Sequence, residues 1–403
     1  MKIQYKALIA GTLVAGIGTA LLPHGHAASA AETSEVPFTF ATVDVPVPGA
    51  RSSTVTGINN RGDLVGSYNF IPATAALGAP AAFLGKGFVW YSDGSFTTID
   101  GPGQINPQLC QPPFYQNCYY MEARGINDQG DIVGTFSQDV FHPNGGLFRA
   151  FYQKAGGQFT AYLMPGHANT IFHKVENSGV VYGCFHDEGF DNSSQSTMHG
   201  IIAQLGTDNG VQIVSFRNEG TTMNGGGGPG AVQYAGQFYD YTVQRRRGYI
   251  INGGDRLNFD VPGSNMTVAW DMNAPGDIVG VWGNNPDPLT MDGIPFHGFM
   301  RDRRGNFIDI EYPGSIDTHV FGINDSGAIV GSYVDHDNNI HGFIARPGDV
   351  AQMRPMIFNE PFRTTPATHA GKSMRVAMMR VIPKDKALLT PAQGPACHQM
   401  RMK

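Results

Sequence analysis

The sequence predicts an all-β protein: a six-bladed β-propeller of four-stranded antiparallel blades, closed by the N-terminal strand completing the last blade. Two recurring phrases and the composition predict it. A twelve-residue phrase appears as "GINNRGDLVGSY" from 57, "GINDQGDIVGTF" from 125 and "GINDSGAIVGSY" from 322. A second phrase follows it, as "GFVWYSDGSFTTIDGPG" from 87, "RAFYQKAGGQFTAYLMPG" from 149 and "FHGFMRDRRGNFIDIEYPG" from 296. The 403 residues include 53 glycines and 26 prolines but only 15% charged side chains, a mixture suited to short strands and tight turns. Hydrophobic content of 41% is enough to build a core, which excludes a chain disordered throughout.

Taken in order, the chain opens with Lys2 and Lys6 ahead of the 16-residue apolar run "ALIAGTLVAGIGTALL", with "ASA" at 28–30. That is the pattern of a signal peptide over residues 1–30, cut before Ala31, with 31–37 a short linker. The run is shorter than the ~20 residues a spanning helix needs, and no later segment could span. The expectation is a mature protein outside the cytoplasm, secreted or periplasmic, with no transmembrane segment.

A lone strand, "FTFATVDVPVPG" (38–49), precedes the first repeat. Each repeat then reads as four strands. Strand A runs into "GIN"; the Asn-x-x-Gly step turns the chain, glycine supplying the positive φ that closes the turn. Strand B is "DIVGTF" and its equivalents, strand C is "GFVWY", and a tight turn leads to strand D, "FTTID". The Pro-Gly that follows ends pairing, because proline has no N–H for the ladder. The strand B glycine recurs at Gly66, Gly134, Gly183, Gly236, Gly280 and Gly331, where it leaves room for a neighbouring aromatic or backbone. Unit four is the weakest copy: "TTMNGGGGPGAVQYAGQF" lacks the Asn-x-x-Gly wording. Six A-B-C units and six D strands match only if the first strand completes the last blade, placing the propeller over residues 38–348.

The wording "GINDxGxIVGxY", followed by "RAF" at 149 or "HGF" at 297 and 341 and then by "FxxIDxPG", resembles the secreted bacterial extracellular-repeat proteins of the HAF-repeat type. The resemblance covers 38–348. It implies a repeat fold and no single activity.

Charge is unevenly placed. The tail, 349–403, holds nine Lys/Arg against three Asp/Glu; setting aside its +6 and the +2 of residues 1–30 from the overall −6 leaves −14 for 31–348. An acidic body argues against nucleic acid as the natural partner. The tail is basic, rich in proline and methionine, and reads as disordered. Cys110 and Cys118 flank a loop where an oxidising compartment would let them pair; Cys184 reads as a small buried hydrophobe.

Strand order puts the B–C and D–A loops at one end, and the insertions (69–86, 104–120, 186–198, 283–295) all fall there. That long-loop end is the expected functional face. Strand A opens onto it near the axis, and counting back from "GIN" brings Glu122, Arg124, His173 and His319 toward one pocket mouth. Glu122, His173 and His319 are the candidates for proton transfer. Arg124, Thr54, Trp270, Tyr119 and Tyr120 are the ligand-binding candidates. An ion pair between Glu122 and Arg124 lining a wet channel is the structural alternative. His199, His297 and His341 repeat before strand C and read as architecture. Asp335, Asp337 and Asn339 open like a calcium loop, but Ile340 and Arg346 stand where its glycine and glutamate belong, so a solvated acidic loop is the first reading and Ca2+ the second. Two functions follow: a binding or scaffold module presenting the loop face to a glycan, envelope component or protein partner, or a polysaccharide lyase or glycoside hydrolase working at the pocket mouth.

Overall fold

The computed structural model describes residues 38–69, 85–99, 120–139, 147–167, 169–186, 198–205, 211–214, 220–228, 233–284, 295–348 and 390–391. The expected signal peptide, the linker, Cys110, Cys118, Tyr119 and nearly all of the tail lie outside these residues. The strands are β1 (Phe38–Val43), then β2 (Ser52–Ile58), β3 (Leu64–Asn69), β4 (Gly85–Trp90) and β5 (Phe96–Ile99). β6 (Tyr120–Ile126), β7 (Ile132–Asp139), β8 (Leu147–Gln153) and β9 (Phe159–Leu163) form the second meander. β10 (Asn169–Val175), β11 (Val180–His186), β12 (Met198–Gln204) and β13 (Val211–Val214) form the third. β14 (Thr221–Gly227), β15 (Gln233–Asp240), β16 (Arg245–Asn252) and β17 (Asp255–Phe259) follow. Then come β18 (Met266–Met272), β19 (Ile278–Gly283), β20 (His297–Arg301) and β21 (Phe307–Ile310). β22 (Asp317–Ile323), β23 (Ile329–Val334) and β24 (Ile340–Pro347) close the series, and β25 (Thr390–Pro391) lies in the tail, paired with β9.

The fold is an all-β propeller, but the expectation of six separate blades is corrected. The strands are joined in four hydrogen-bonded sheets, of four, four, eight and nine strands. The two large sheets each unite two consecutive meanders through one parallel bridge, Gly85 to Tyr120 in one and Arg246 to Met266 in the other. The repeated wording counts meanders; it carries no sign of bridges made between them. The expected role of the N-terminal strand changes too. β1 runs antiparallel to β24, from Phe38 opposite Pro347 to Val43 opposite Gly342, as the outer edge of the last sheet. The join between first and last meanders is a packing contact made by β2 against β22, β23 and β24.

Burial explains the strand types. Outer strands alternate, as in β5 and β17, because one face meets solvent, whereas β3 and β18 are buried almost throughout. The core is divided among the interfaces between neighbouring meanders: Val65, Val89, Met121, Phe136 and Phe151 fill the first such interface, and Val279, Ile308, Val320, Ile329 and Phe343 the last. The strand A members β2, β6, β10, β14, β18 and β22 touch in that order, and β22 touches β2 again, so they surround an axis.

The strand B glycines make this packing work. A Cβ on Gly134 would meet the Glu122 carbonyl oxygen and the Phe151 ring; on Gly280 it would meet the Val268 carbonyl and Phe299, and on Gly331 the His319 carbonyl and Phe343. The turn glycines behave as their sequence implies, Gly62, Gly130, Gly276 and Gly327 all having φ between 81° and 95°. The Asn of each turn does more than turn the chain. Asn127 accepts from its own turn at Asp131 N (2.8 Å) and donates Nδ2 to the Glu176 carbonyl of the next meander (3.2 Å). Asn59 donates likewise to Asn127 O, Asn273 to Asn324 O, and Asn324 to Asn59 O, at 3.0–3.1 Å. Asp63, Asp131 and Asp277 tie each A–B turn to its own C–D turn through the backbone N–H of Ser92, Ala155 and Arg303. The short-turn end is thus a belt of side-chain-to-backbone bonds.

Candidate functional site

Each inner strand carries a β-bulge at the same place, skipping Thr56, Arg124, His173, Asn224, Trp270 and Phe321 in turn. A bulge inserts an unpaired residue and re-aims its side chain. Here all six residues line one small axial cavity. The residue after the bulge is Gly57, Gly125, Gly225 and Gly322 in four copies, because the strands approach too closely for a Cβ: on Gly57 it would lie 2.6 Å from the Arg124 carbonyl oxygen, and on Gly125 2.8 Å from Lys174 Cα. The other two copies have Lys174 and Asp271, whose side chains meet at 2.7 Å. Lys174 also donates to the Met272 carbonyl (2.6 Å), and Asp271 accepts from Ile323 N (3.0 Å). Burial pulls the Lys174 ammonium down, but the charges of Asp271 and Glu176 outweigh it and hold its pKa above the ordinary value. Gly225 lies against Asp271, where a Cβ would meet Oδ1 at 2.7 Å.

The candidates named from sequence are partly brought together. Glu122, 7% exposed, is bonded to Arg124 (2.7 Å), and Arg124 Nη1 donates to His173 Nδ1 (3.1 Å). An arginine only donates, so Nδ1 of His173 is the acceptor and Nε2 bears the proton, facing Cys184 Sγ at 3.6 Å. Burial, then the Arg124 charge, push the His173 pKa well below the usual histidine value, leaving the ring neutral. Burial pushes the Cys184 thiol up to about 12, so it too is neutral. His319 stands apart. Its Nε2 lies 2.8 Å from Asp317 Oδ1 and its ring packs on Phe296, while Trp270 and Phe321 form an aromatic wall between it and His173. Thr54 lies two residues before the Thr56 bulge on β2, at the level of Glu122 and His319. Tyr120 begins β6, its backbone opposite Ser137 and Gly85. Tyr119, Cys110 and Cys118 lie outside the described residues, as does most of each long loop.

The acidic loop is committed to itself. Asp335 accepts from the backbone N–H of Asp337 and Asn339, from Asn339 Nδ2 and, through Oδ2, faces His341 Nε2 at 3.2 Å. These bonds lower its pKa to about 2. Among the described residues no group of three or more His, Cys, Asp or Glu is placed to hold a metal ion. The strand C histidines stack on strand B aromatics: His199 on Phe185, His297 on Trp282, His341 on Tyr333. Sequence reasoning missed the Lys174–Asp271 pair and Asn224. The signal for the pair was present, since Lys and Asp stand where the aligned repeats have glycine; Asn224 was hidden in a glycine run.

No protein-family model matches the chain, and no curated protein matches it. Among solved structures the chain is similar to a luciferin-regenerating enzyme (TM-score 0.41, 10% identity, covering 74% of this chain and 92% of that one). It is similar to a Trypanosoma rangeli sialidase in complex with the inhibitor DANA (0.43, 10%, 75% and 55%), so it spans little more than half of that chain. A third is the β-propeller domain of the trilobed protease from Pyrococcus furiosus (0.37, 8%, 77% and 99%). No residue role is carried over from them.

Proposed function

We propose that the protein is an extracytoplasmic binding module that presents the long-loop end of its propeller to a glycan, an envelope component or a protein partner. One observation carries the reading: at the level of the bulges the axis is filled by its own side chains. Glu122, Arg124 and His173 are bonded in a row, and the cavity that Arg124 and His173 help line has a volume of about 20 Å³. That is the scale of a single water, far below the space a sugar ring needs. A ligand would therefore meet the molecule at the mouth, where the inner strands begin. His173 supports no proton transfer, since Arg124 occupies one ring nitrogen and the other faces a neutral thiol.

A glycan-acting enzyme is the second reading, favoured by the position of Glu122 and His319 one level nearer the mouth than the bulges. The test is a screen of the purified protein on anionic and neutral polysaccharides for binding and for released products. Binding without products is the expected outcome. Products that disappear in E122Q or H319A would replace the binding reading with the enzymatic one.

A further inference from the structure

We propose that the axial cavity is a binding site for one neutral, water-sized molecule, water itself being its resident in solution. Two of its lining residues present polar atoms that have no hydrogen-bond partner among the described residues. Asn224 is 1% exposed, and its Nδ2 donates to the Ala269 carbonyl at 2.6 Å, which fixes the amide orientation and leaves Oδ1 as a buried acceptor. Trp270 Nε1 is a buried donor with no acceptor among the described residues. Both residues line the same cavity, from neighbouring strands β14 and β18. Buried groups of this kind are nearly always satisfied in folded proteins, because leaving one alone forfeits its hydration with nothing in return. A cavity of about 20 Å³ exceeds the ~10–15 Å³ needed to seat a water.

The chemistry selects the occupant. An anion would suit the Trp270 N–H but would face the Asn224 carbonyl oxygen. A cation would suit that oxygen but would share the cavity with the Arg124 guanidinium, the Lys174 and Asp271 charges offsetting each other at 2.7 Å. Only a molecule that both donates and accepts answers both atoms. Its place in the fold gives it a task. β14 belongs to one of the two meanders whose A–B turn lacks the Asn, the other having Glu176 there, and the Asn224 bond and the Gly228 N–H to the Asn273 carbonyl (3.0 Å) tie it to β18. The occupant adds a third link at that weak point.

The test uses the intact protein labelled with ¹⁵N. The indole N–H signals of Trp90, Trp270 and Trp282 are assigned with W270F and W90F, and cross-relaxation with solvent is measured for each. The expected result is a cross-peak between the Trp270 indole proton and a long-lived water, lost in N224L. A protected Trp270 indole proton with no water cross-peak would overturn the proposal, and so would a cross-peak unchanged in N224L. Should N224L fail to fold, crystals of the unaltered protein decide: a peak within hydrogen-bond distance of both atoms supports the site. No peak there, or an anomalous bromide signal after a bromide soak, refutes it.

Discussion

At the scale of single residues the strand B glycines are the sharpest case of sequence dictating structure. Gly134 is pressed between the Glu122 carbonyl and the Phe151 ring, one of them backbone and the other a buried core side chain, so neither can give way. Gly134→Ala is expected to destabilise by about 3 kcal/mol, the upper end of overpacking costs. Gly253→Ala is the control: its φ is +60° but nothing lies near its absent Cβ, so only the conformational cost of about 1 kcal/mol remains. Urea midpoints of the two variants check the difference, and equal shifts would show that the close approach is not what fixes the glycine. This role was legible, because one glycine interrupted an otherwise apolar strand in every copy. The Asn of the turn was only half legible. Its bond to its own turn follows from local spacing, but its donation to the next meander, as from Asn127 to Glu176, joins residues 49 apart that no local pattern relates.

At the scale of the element, the bulge decides what each inner strand sends toward the axis. Counting back from "GIN" found the right positions, since Arg124, His173 and Trp270 all sit at bulges. It gave the wrong neighbours for His319, because the rings of Trp270 and Phe321 stand between it and His173, a packing that spacing along the strand does not reveal. The residue after the bulge offers a direct experiment. Lys174 and Asp271 replace the glycine of four other copies; Asp271 is buried with Lys174 as its charge partner, and the partly buried Lys174 has Asp271 at 2.7 Å and Glu176 at 3.9 Å. Removing Lys174 leaves the buried Asp271 carboxylate uncompensated, a loss of about 3–5 kcal/mol. Lys174→Gly alone is expected to lose that much. K174G/D271G, which restores the glycine of the other repeats, is expected to be more stable than K174G. A double-mutant cycle in chemical denaturation measures the coupling, and strict additivity would show that the pair does not hold the strands together.

At the scale of the whole molecule, the repeats were legible and the sheets were not. Bridges such as Arg246 to Met266 join one meander to the next through backbone groups that every sequence possesses, so wording alone could not count them. β1 is the outer strand of the last sheet, paired with β24, and there a side-chain contact sets a condition on pH. His341 on β24 is 3.0 Å from Asp44, just past β1, and 3.2 Å from Asp335, with its ring on Tyr333. Burial alone would lower its pKa, but the bonds and charges of Asp44 and Asp335 outweigh that and raise it above the ordinary 6.5. A histidine whose folded pKa is raised stabilises fully below its unfolded value, and the contribution fades as pH rises through the folded one. The hold on β1 should therefore be firm near pH 5.5 and weaker above pH 8, flanking the ordinary histidine value. Amide exchange of Ala41 and Val43, corrected for intrinsic rates, is expected to speed up over that interval in the unaltered protein and to be level in H341Q, which carries no charge at either pH. Exchange that accelerates equally in both would mean that β1 is held by its backbone ladder and by Val43 packed on Val55 and Ile344, with the histidine a bystander.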